Sequence, residues 1–230
     1  MWSWISGGFP CSNKEGFECD SMQSVPRELV YSPRLQTLLV NPIQEVDQLR
    51  TAMLVPRLEL NLSSTAPVVV TQAAGDTLDL LVNFTCATLA TDSAMCGASL
   101  QVRASSDGVE GLILAFQCGQ HGCGVKVNST VSRLQASSAA ARPLWEGVEA
   151  KPTFPVPYAP GEVFDGRFQI RVLVDTCVAE VYAQGGRAAY SKMHVPSDPS
   201  HNGVRLKALQ GSVAVSATFQ AHRMGSAYAS

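Results

Sequence analysis

Val174-Asp175-Thr176-Cys177-Val178-Ala179-Glu180-Val181-Tyr182-Ala183-Gln184-Gly185-Gly186-Arg187 is the stretch that decides the fold. Its β-branched and aromatic residues read as a strand, its paired glycines as a turn, and Arg187 as the start of a second strand. No helical pattern opens after Gly185 and Gly186, so they make a turn and not a phosphate-binding loop.

The same period-two logic extends outward. Leu78, Leu80, Val82 and Phe84 alternate with Asp79, Leu81, Asn83 and Thr85. Leu100 and Val102 alternate with Gln101 and Arg103, and Phe168, Ile170, Val172 and Val174 with Gln169, Arg171, Leu173 and Asp175. Val213, Val215, Ala217 and Phe219 repeat the pattern near the end. Many short alternating strands separated by Gly, Ser, Asp and Asn imply an all-β, antiparallel sandwich or barrel. Residues 135–160 break the rhythm, being rich in Ala, Ser and Pro, and read as a loop or insertion.

The first forty residues read as a strand at Trp2 to Ile5, a Gly/Pro/Cys loop from Gly7 to Asp20, a strand-like run over 21–31, and another over 35–40. Pro33 marks a turn, and Pro26 favours an edge or bulged strand. Asn41-Pro42-Ile43-Gln44 carries helix-start chemistry: a capping Asn, a Pro at the first helical position and a Gln able to reach back. Ile43, Val46 and Leu49 continue at helical spacing, and Arg50 suits the negative end of the dipole. This predicts a short connecting helix near 42–53. The expected division is 1–40, 41–57 with that helix, and a sandwich over 58–230.

Composition excludes several classes. The net charge of −2 gives no basic footprint for nucleic acid and no polybasic patch for a membrane surface. No apolar run approaches the roughly 20 residues needed to span a bilayer. Met1-Trp2-Ser3-Trp4 begins like mid-strand and not like a signal peptide, so a chain truncated at its N-terminal side is expected. Seven cysteines include three sequence-local pairs, Cys11/Cys19, Cys86/Cys96 and Cys118/Cys123, leaving Cys177 at a position suited to a buried thiol. With sequons at Asn61, Asn83 and Asn128 they point to a secreted, vacuolar or other secretory-pathway protein. Cys118-Gly-Gln-His-Gly-Cys123 lacks a fourth ligand and reads as a hairpin tip, so no metal and no cofactor is expected.

The opening stretch resembles the "D-x-S-x-x-E-x-F-x-x-G-G-R" strand pair of glycoside hydrolase family 32, the invertase and fructanase family. Met22-Gln-Ser-Val-Pro-Arg-Glu-Leu29 resembles its "QSIPRxL" strand, and Trp2-Ser3-Trp4 its "WGW" strand. Leu38 to Arg50 is similar to the strand and helix that leave the family's five-bladed propeller, Val102 to Gly108 to "VRASxDG", and Phe219 to Ala227 to the closing strand. The resemblance implies a remnant of the last propeller blade at 1–40, a linker helix, and a C-terminal β-sandwich packed against a propeller. It further implies hydrolysis or transfer of fructosyl units from sucrose or fructans, bound through the propeller.

The family's catalysis needs a nucleophilic Asp in an "NDPNG"-type motif, an Asp in "RDP" and an acid/base Glu in "WEC". A retaining glycosidase holds two carboxyl groups about 5–5.5 Å apart. Neither N-D-P-x-G nor R-D-P occurs here, so the chain alone is expected to be inactive, with no catalytic residue of its own. Glu18 in Phe17-Glu18-Cys19-Asp20 resembles the acid/base motif, but its place five residues before Gln23 makes it a loop carboxylate. Asp175 and Glu180, five residues apart, are read as structural hydrogen-bonding groups, with Arg187 a candidate partner. His121, His194, His201 and His222 have no nucleophile beside them. Trp4 is the substrate-binding candidate, since a flat ring packs on a sugar face. The other reading is a stand-alone, non-catalytic carbohydrate-binding or structural sandwich.

Overall fold

A computed structural model of the chain describes residues 4–10, 18–91, 93–120, 122–130 and 154–225, with side chains from residue 23 onward. Two six-stranded sheets face each other. The first contains β6 (Val68–Val69), β8 (Cys96–Ala104), β9 (Gly111–Gly119), β10 (Gly122–Thr130), β11 (Phe154–Val156) and β15 (Gly203–Ala208), in the order β11-β10-β9-β8-β15-β6. The second contains β5 (Arg50–Leu62), β7 (Thr77–Cys86), β12 (Arg167–Asp175), β13 (Val178–Ala183), β14 (Ala188–Met193) and β16 (Val215–Met224), in the order β14-β13-β12-β7-β16-β5. Neighbouring strands pair antiparallel throughout.

Register explains which residues fill the space between the sheets. Phe84 pairs with Phe168 and Ala217, and Val82 with Ile170 and Phe219, so one face of the second sheet is wholly apolar. The facing strands supply Leu100, Val102, Leu112, Leu114, Phe116 and Leu206, all buried. The Phe116 ring stacks on Phe168 at 4.3 Å and tilts against Phe84 at 4.8 Å. Each such ring contributes about 1.5–3 kcal/mol by leaving water. A disulfide from Cys86, at the end of β7, to Cys96, at the start of β8, ties the two sheets together. A second joins Cys118 to Cys123 across the β9–β10 hairpin, as the spacing allowed.

The N-terminal strands form two hairpins beside the sandwich: β1 (Trp4–Pro10) with β2 (Glu18–Gln23), and β3 (Arg27–Ser32) with β4 (Thr37–Pro42). β2 stops at Gln23 and residues 24–26, Pro26 last, separate it from β3, so the strand expected over 21–31 is two strands. Of the loop expected from Gly7 to Asp20, residues 7–10 belong to β1 and 18–20 to β2, and residues 11–17 lie outside the described residues.

Three other expectations need correction. The connector is a short 3-10 helix over Gln44–Leu49, not a helix over 42–53. Asn41 and Pro42 remain in β4, and the Asn41 amide donates to the Gly185 carbonyl instead of capping. Arg50 opens β5, so the sandwich's first strand begins at residue 50 rather than near 58. The Arg50 guanidinium pairs with Asp79 on the sheet and with Asp47 of the 3-10 helix. Finally, the opening stretch holds more structure than one strand and one turn. It contains the end of β12, a tight turn with Thr176 at φ 50°, all of β13, and a second turn. Cys177 therefore lies in a turn, though its thiol is buried as expected, and burial raises its pKa. In the 135–160 segment, Phe154–Val156 is an edge strand on β10; residues 131–153, and Cys11, expected to pair with Cys19, lie outside the described residues.

Candidate functional site

The outer face of the second sheet, away from the sandwich core, carries the concentration of charge. Leu173 pairs with Glu180 and Asp79, and Arg171 with Tyr182 and Leu81, so these residues share that face. Glu180 is 4% exposed. One carboxylate oxygen accepts the Val25 amide at 2.6 Å. The other accepts Arg27 Nη2 at 2.6 Å, Arg27 Nε at 3.2 Å and the Tyr182 hydroxyl at 2.8 Å. Arg27 also donates to Ser191 Oγ at 2.5 Å, and its guanidinium lies 5.7 Å from the Tyr182 ring centre. Burial, with Glu180 beside it, holds the Tyr182 phenol well above its ordinary range. Burial opposes the charge on Arg27, yet the Glu180 hydrogen bond and the surrounding charges raise its pKa overall. With four donors on its two oxygens, Glu180 is an anchor and not an available acid.

The turn that follows completes the contact. The Val40 amide donates to the Gly186 carbonyl at 2.8 Å, and Asn41 Nδ2 donates to the Gly185 carbonyl at 3.0 Å. Gly186 has φ 87°, and a Cβ there would stand 2.6 Å from the Asn41 amide nitrogen. Only glycine satisfies both the left-handed backbone and this close approach. Arg187 binds Glu162, Nη2 to Oε1 at 2.8 Å, and stacks over Tyr158 at 5.1 Å. Glu162 also accepts Arg34, from the β3–β4 turn, at 2.6 Å. The Arg187 hydrogen bond leads the interactions that lower the Glu162 pKa to about 2. The opening stretch is thus a seat on which the β3–β4 hairpin rests.

The connector is fixed by a second polar group on the same face. Asp79 is fully buried and accepts Arg50 Nη2 at 2.6 Å and Arg171 Nη2 at 2.7 Å. Asp47, from the 3-10 helix, accepts the same two arginines at 3.3 and 2.5 Å. Val46 packs beneath them on Leu173 and Tyr182, with Val25 and Ile43 at the margin. Two cations and two carboxylates neutralise one another where the linker meets the sheet.

A third polar cluster closes one end of the first sheet. Glu110, 4% exposed, accepts the Ser197 amide and hydroxyl and His201 Nδ1 at 3.0 Å. His194 Nδ1 lies 2.8 Å from Ser129 Oγ, and burial pushes the His194 pKa down to about 4. Arg103 sits nearby at φ 52°, and burial lowers its pKa. The cluster holds the 194–201 segment to the first sheet, and it sets a serine hydroxyl on His194, a neighbour the sequence did not suggest.

The family model for the C-terminal region of glycosyl hydrolases of family 32 matches residues 45–223. The chain belongs to glycosyl hydrolase family 32. Solved structures agree on the fold. A fructan 1-exohydrolase IIa from Cichorium intybus superposes with a TM-score of 0.67 at 18% identity, over 98% of this chain and 45% of the chicory enzyme. An exo-inulinase from Aspergillus awamori gives 0.63 at 14% identity, over 98% of this chain and 40% of that one. A β-fructofuranosidase from Schwanniomyces occidentalis gives 0.53 at 10% identity, over 97% and 42%. The chain therefore spans under half the length of these family 32 structures. Among curated proteins no sequence matches it.

The expected site residues fall as follows in this family 32 chain. Trp4 opens β1 opposite Gln23, and its side chain lies outside the described residues. Glu18 is the first residue of β2, opposite Pro10, and not in a loop. Glu180 is structural as read, but its cation is Arg27; Arg187 goes to Glu162 instead. Asp175 is exposed at the end of β12 and accepts the Thr176 hydroxyl at 3.3 Å. His121 lies outside the described residues. Among the described residues no group of three His, Cys, Asp or Glu is arranged to hold a metal ion. Sequence reasoning missed Asp79 and Arg171, whose signal was a charge recurring on the outward side of otherwise apolar strands.

Proposed function

We propose that this chain is the accessory part of a fructosyl-bond hydrolase, its sandwich serving as a rigid seat for the closing strands of a catalytic propeller. The observation that carries this reading is the buried Arg27–Glu180 pair, which joins a "QSIPR"-like strand to the sandwich at 2.6 Å. The free side of that hairpin supports it. Leu29, Val30, Tyr31 and Leu38 stand 39–59% exposed in a two-stranded unit with open edges. Such an edge calls for further strands to cover it.

In this reading the reacting carboxylates belong to the propeller blades. One attacks the anomeric carbon and the other protonates the leaving oxygen, from about 5–5.5 Å apart. Sucrose or a fructan is the substrate, hydrolysis or fructosyl transfer the reaction, and the secretory pathway the compartment. Trp4, on the blade remnant, is the candidate contact to sugar. The 230 residues alone carry out no turnover. Incubation of the purified chain with sucrose and with inulin is expected to release no fructose, whereas joining it to blades bearing Asn-Asp-Pro and Arg-Asp-Pro restores release. Invertase-like turnover by the chain alone would refute the assignment. Tight calorimetric binding of inulin or levan to the chain would favour a carbohydrate-binding module instead.

A further inference from the structure

Three N-x-S/T sequons occur, and the fold treats them differently. Asn128 is half-buried in β10, and the hydroxyl of its Thr130, 3% exposed, donates to the Val109 and Gly111 carbonyls at 2.9 and 3.0 Å. Asn61 is exposed on edge strand β5, and the hydroxyl of its Ser63 lies 2.8 Å from that of Thr65. Asn83 and Thr85 are both exposed on the outer face of β7, while Val82 and Phe84 take the core side. Neither the Asn83 amide nor the Thr85 hydroxyl hydrogen-bonds to another described residue.

Asn83 also lies in a groove. With Thr85, Arg167, Gln169 and Gln184 it lines a volume of about 490 Å³ on the outer face of the second sheet. Gln184 closes one side by donating to the Arg167 carbonyl at 3.1 Å and accepting the Gln169 amide at 2.8 Å. The Arg167 guanidinium forms no ion pair with the described residues, which leaves its donors for a ligand. The groove sits at the Thr85–Arg167 end of the pairing, away from the Asp79–Leu173–Glu180 row that seats the hairpin and linker.

We propose that Asn83 carries an N-linked glycan whose first sugar rests in this groove, with Arg167 and Gln169 hydrogen-bonding its hydroxyl and acetamido groups. The proposal rests on the secretory-pathway part of the function assigned above. The Asn83 amide nitrogen forms a bond to the anomeric carbon of an oligosaccharide carried on a polyprenyl diphosphate. The anomeric C–O bond to the diphosphate breaks, the lipid diphosphate leaves, and the amide nitrogen gives up one proton. No oxidation or reduction occurs. The product extends into solvent because the alternate residues of β7 already supply the packing.

The test uses the full chain secreted from a eukaryotic host. Enzymatic deglycosylation in ¹⁸O-labelled water followed by peptide mapping should convert Asn83 to labelled Asp. Asn83→Gln and Thr85→Ala should each remove the same single glycan mass, and the second variant keeps the asparagine should the first fail to fold. Release from the native chain should be several-fold slower than from the denatured chain, and Arg167→Ala should speed native release. An unlabelled Asn83 beside labelled Asn61 or Asn128 overturns the inference while leaving the compartment standing. A chain secreted with no label at any sequon overturns it as well, and if Cys86 and Cys96 are then found reduced, the compartment fails with it. Equal release rates, native and denatured, overturn the groove contact.

Discussion

The interior between the sheets and the outer face of the second sheet are built from the same strands, yet they hold by different physics. Inside, Leu80, Val82, Phe84, Ile170 and Phe219 pack without a polar atom, and stability follows apolar area. Outside, buried Arg27 pairs with buried Glu180, which also accepts the Tyr182 hydroxyl, and buried Asp79 pairs with the partly exposed Arg171. Apolar packing tolerates substitution of similar volume, whereas a buried ion pair tolerates almost no loss of one partner. The core makes the domain; the outer face determines what docks on it.

The largest effect expected on the core side comes from Phe116→Ala. Removing the ring that touches both Phe84 and Phe168 should cost about 4 kcal/mol and lower the melting of the whole sandwich in one transition. A unchanged midpoint in urea titration would show that the stack is dispensable. On the outer face, Glu180→Ala should cost about 3 kcal/mol, because it strands the Arg27 charge in a buried site. Here the loss should appear as a separate early transition, the hairpin leaving the seat. The paired replacement Arg27→Met with Glu180→Leu should recover most of it. A single transition in all three proteins would erase the distinction between the two regions.

Acid should probe the end cluster. His194 has a folded pKa of about 4, below its unfolded value near 6.5, so the unfolded chain binds the proton first. Stability from this group is full above pH 6.5 and falls as pH drops towards 4, by about 3 kcal/mol. His194→Gln should flatten that slope in urea midpoints taken from pH 7 to pH 4. The smallest effect is expected at the turn. Gly186→Ala should cost about 1–2 kcal/mol through its left-handed φ and the Asn41 contact, with Asn41→Ser relieving part of it.

The sandwich core was legible because period two is a local property: Leu78 to Phe84 and Phe168 to Val174 announce their buried faces within seven residues. The seat was only half legible. Glu180 was recognisable as structural, but its partner lies 153 residues away, and no local rule connects Arg27 to it. Arg187, nearer in sequence, was the natural candidate and went elsewhere. β8 misled for a similar reason. Gln101 and Arg103 alternate as if solvent-facing, yet both are buried: the 105–110 loop accepts the Gln101 amide on the Gly108 and Glu110 carbonyls, and Arg103 lies among Asp76, Cys177 and Glu110. The connector failed because Asn41 had a stronger claim on it than its helix: the Gly185 carbonyl.

Hydrogen exchange of residues 27–42, compared between the chain and its Glu180→Ala variant, tests the central claim most directly. The account predicts that the variant loses protection across β3 and β4, the Val40 amide included, while β7 and β12 remain protected. Unchanged protection of the hairpin in the variant would contradict it, since Glu180 would then not be what holds the hairpin in its seat.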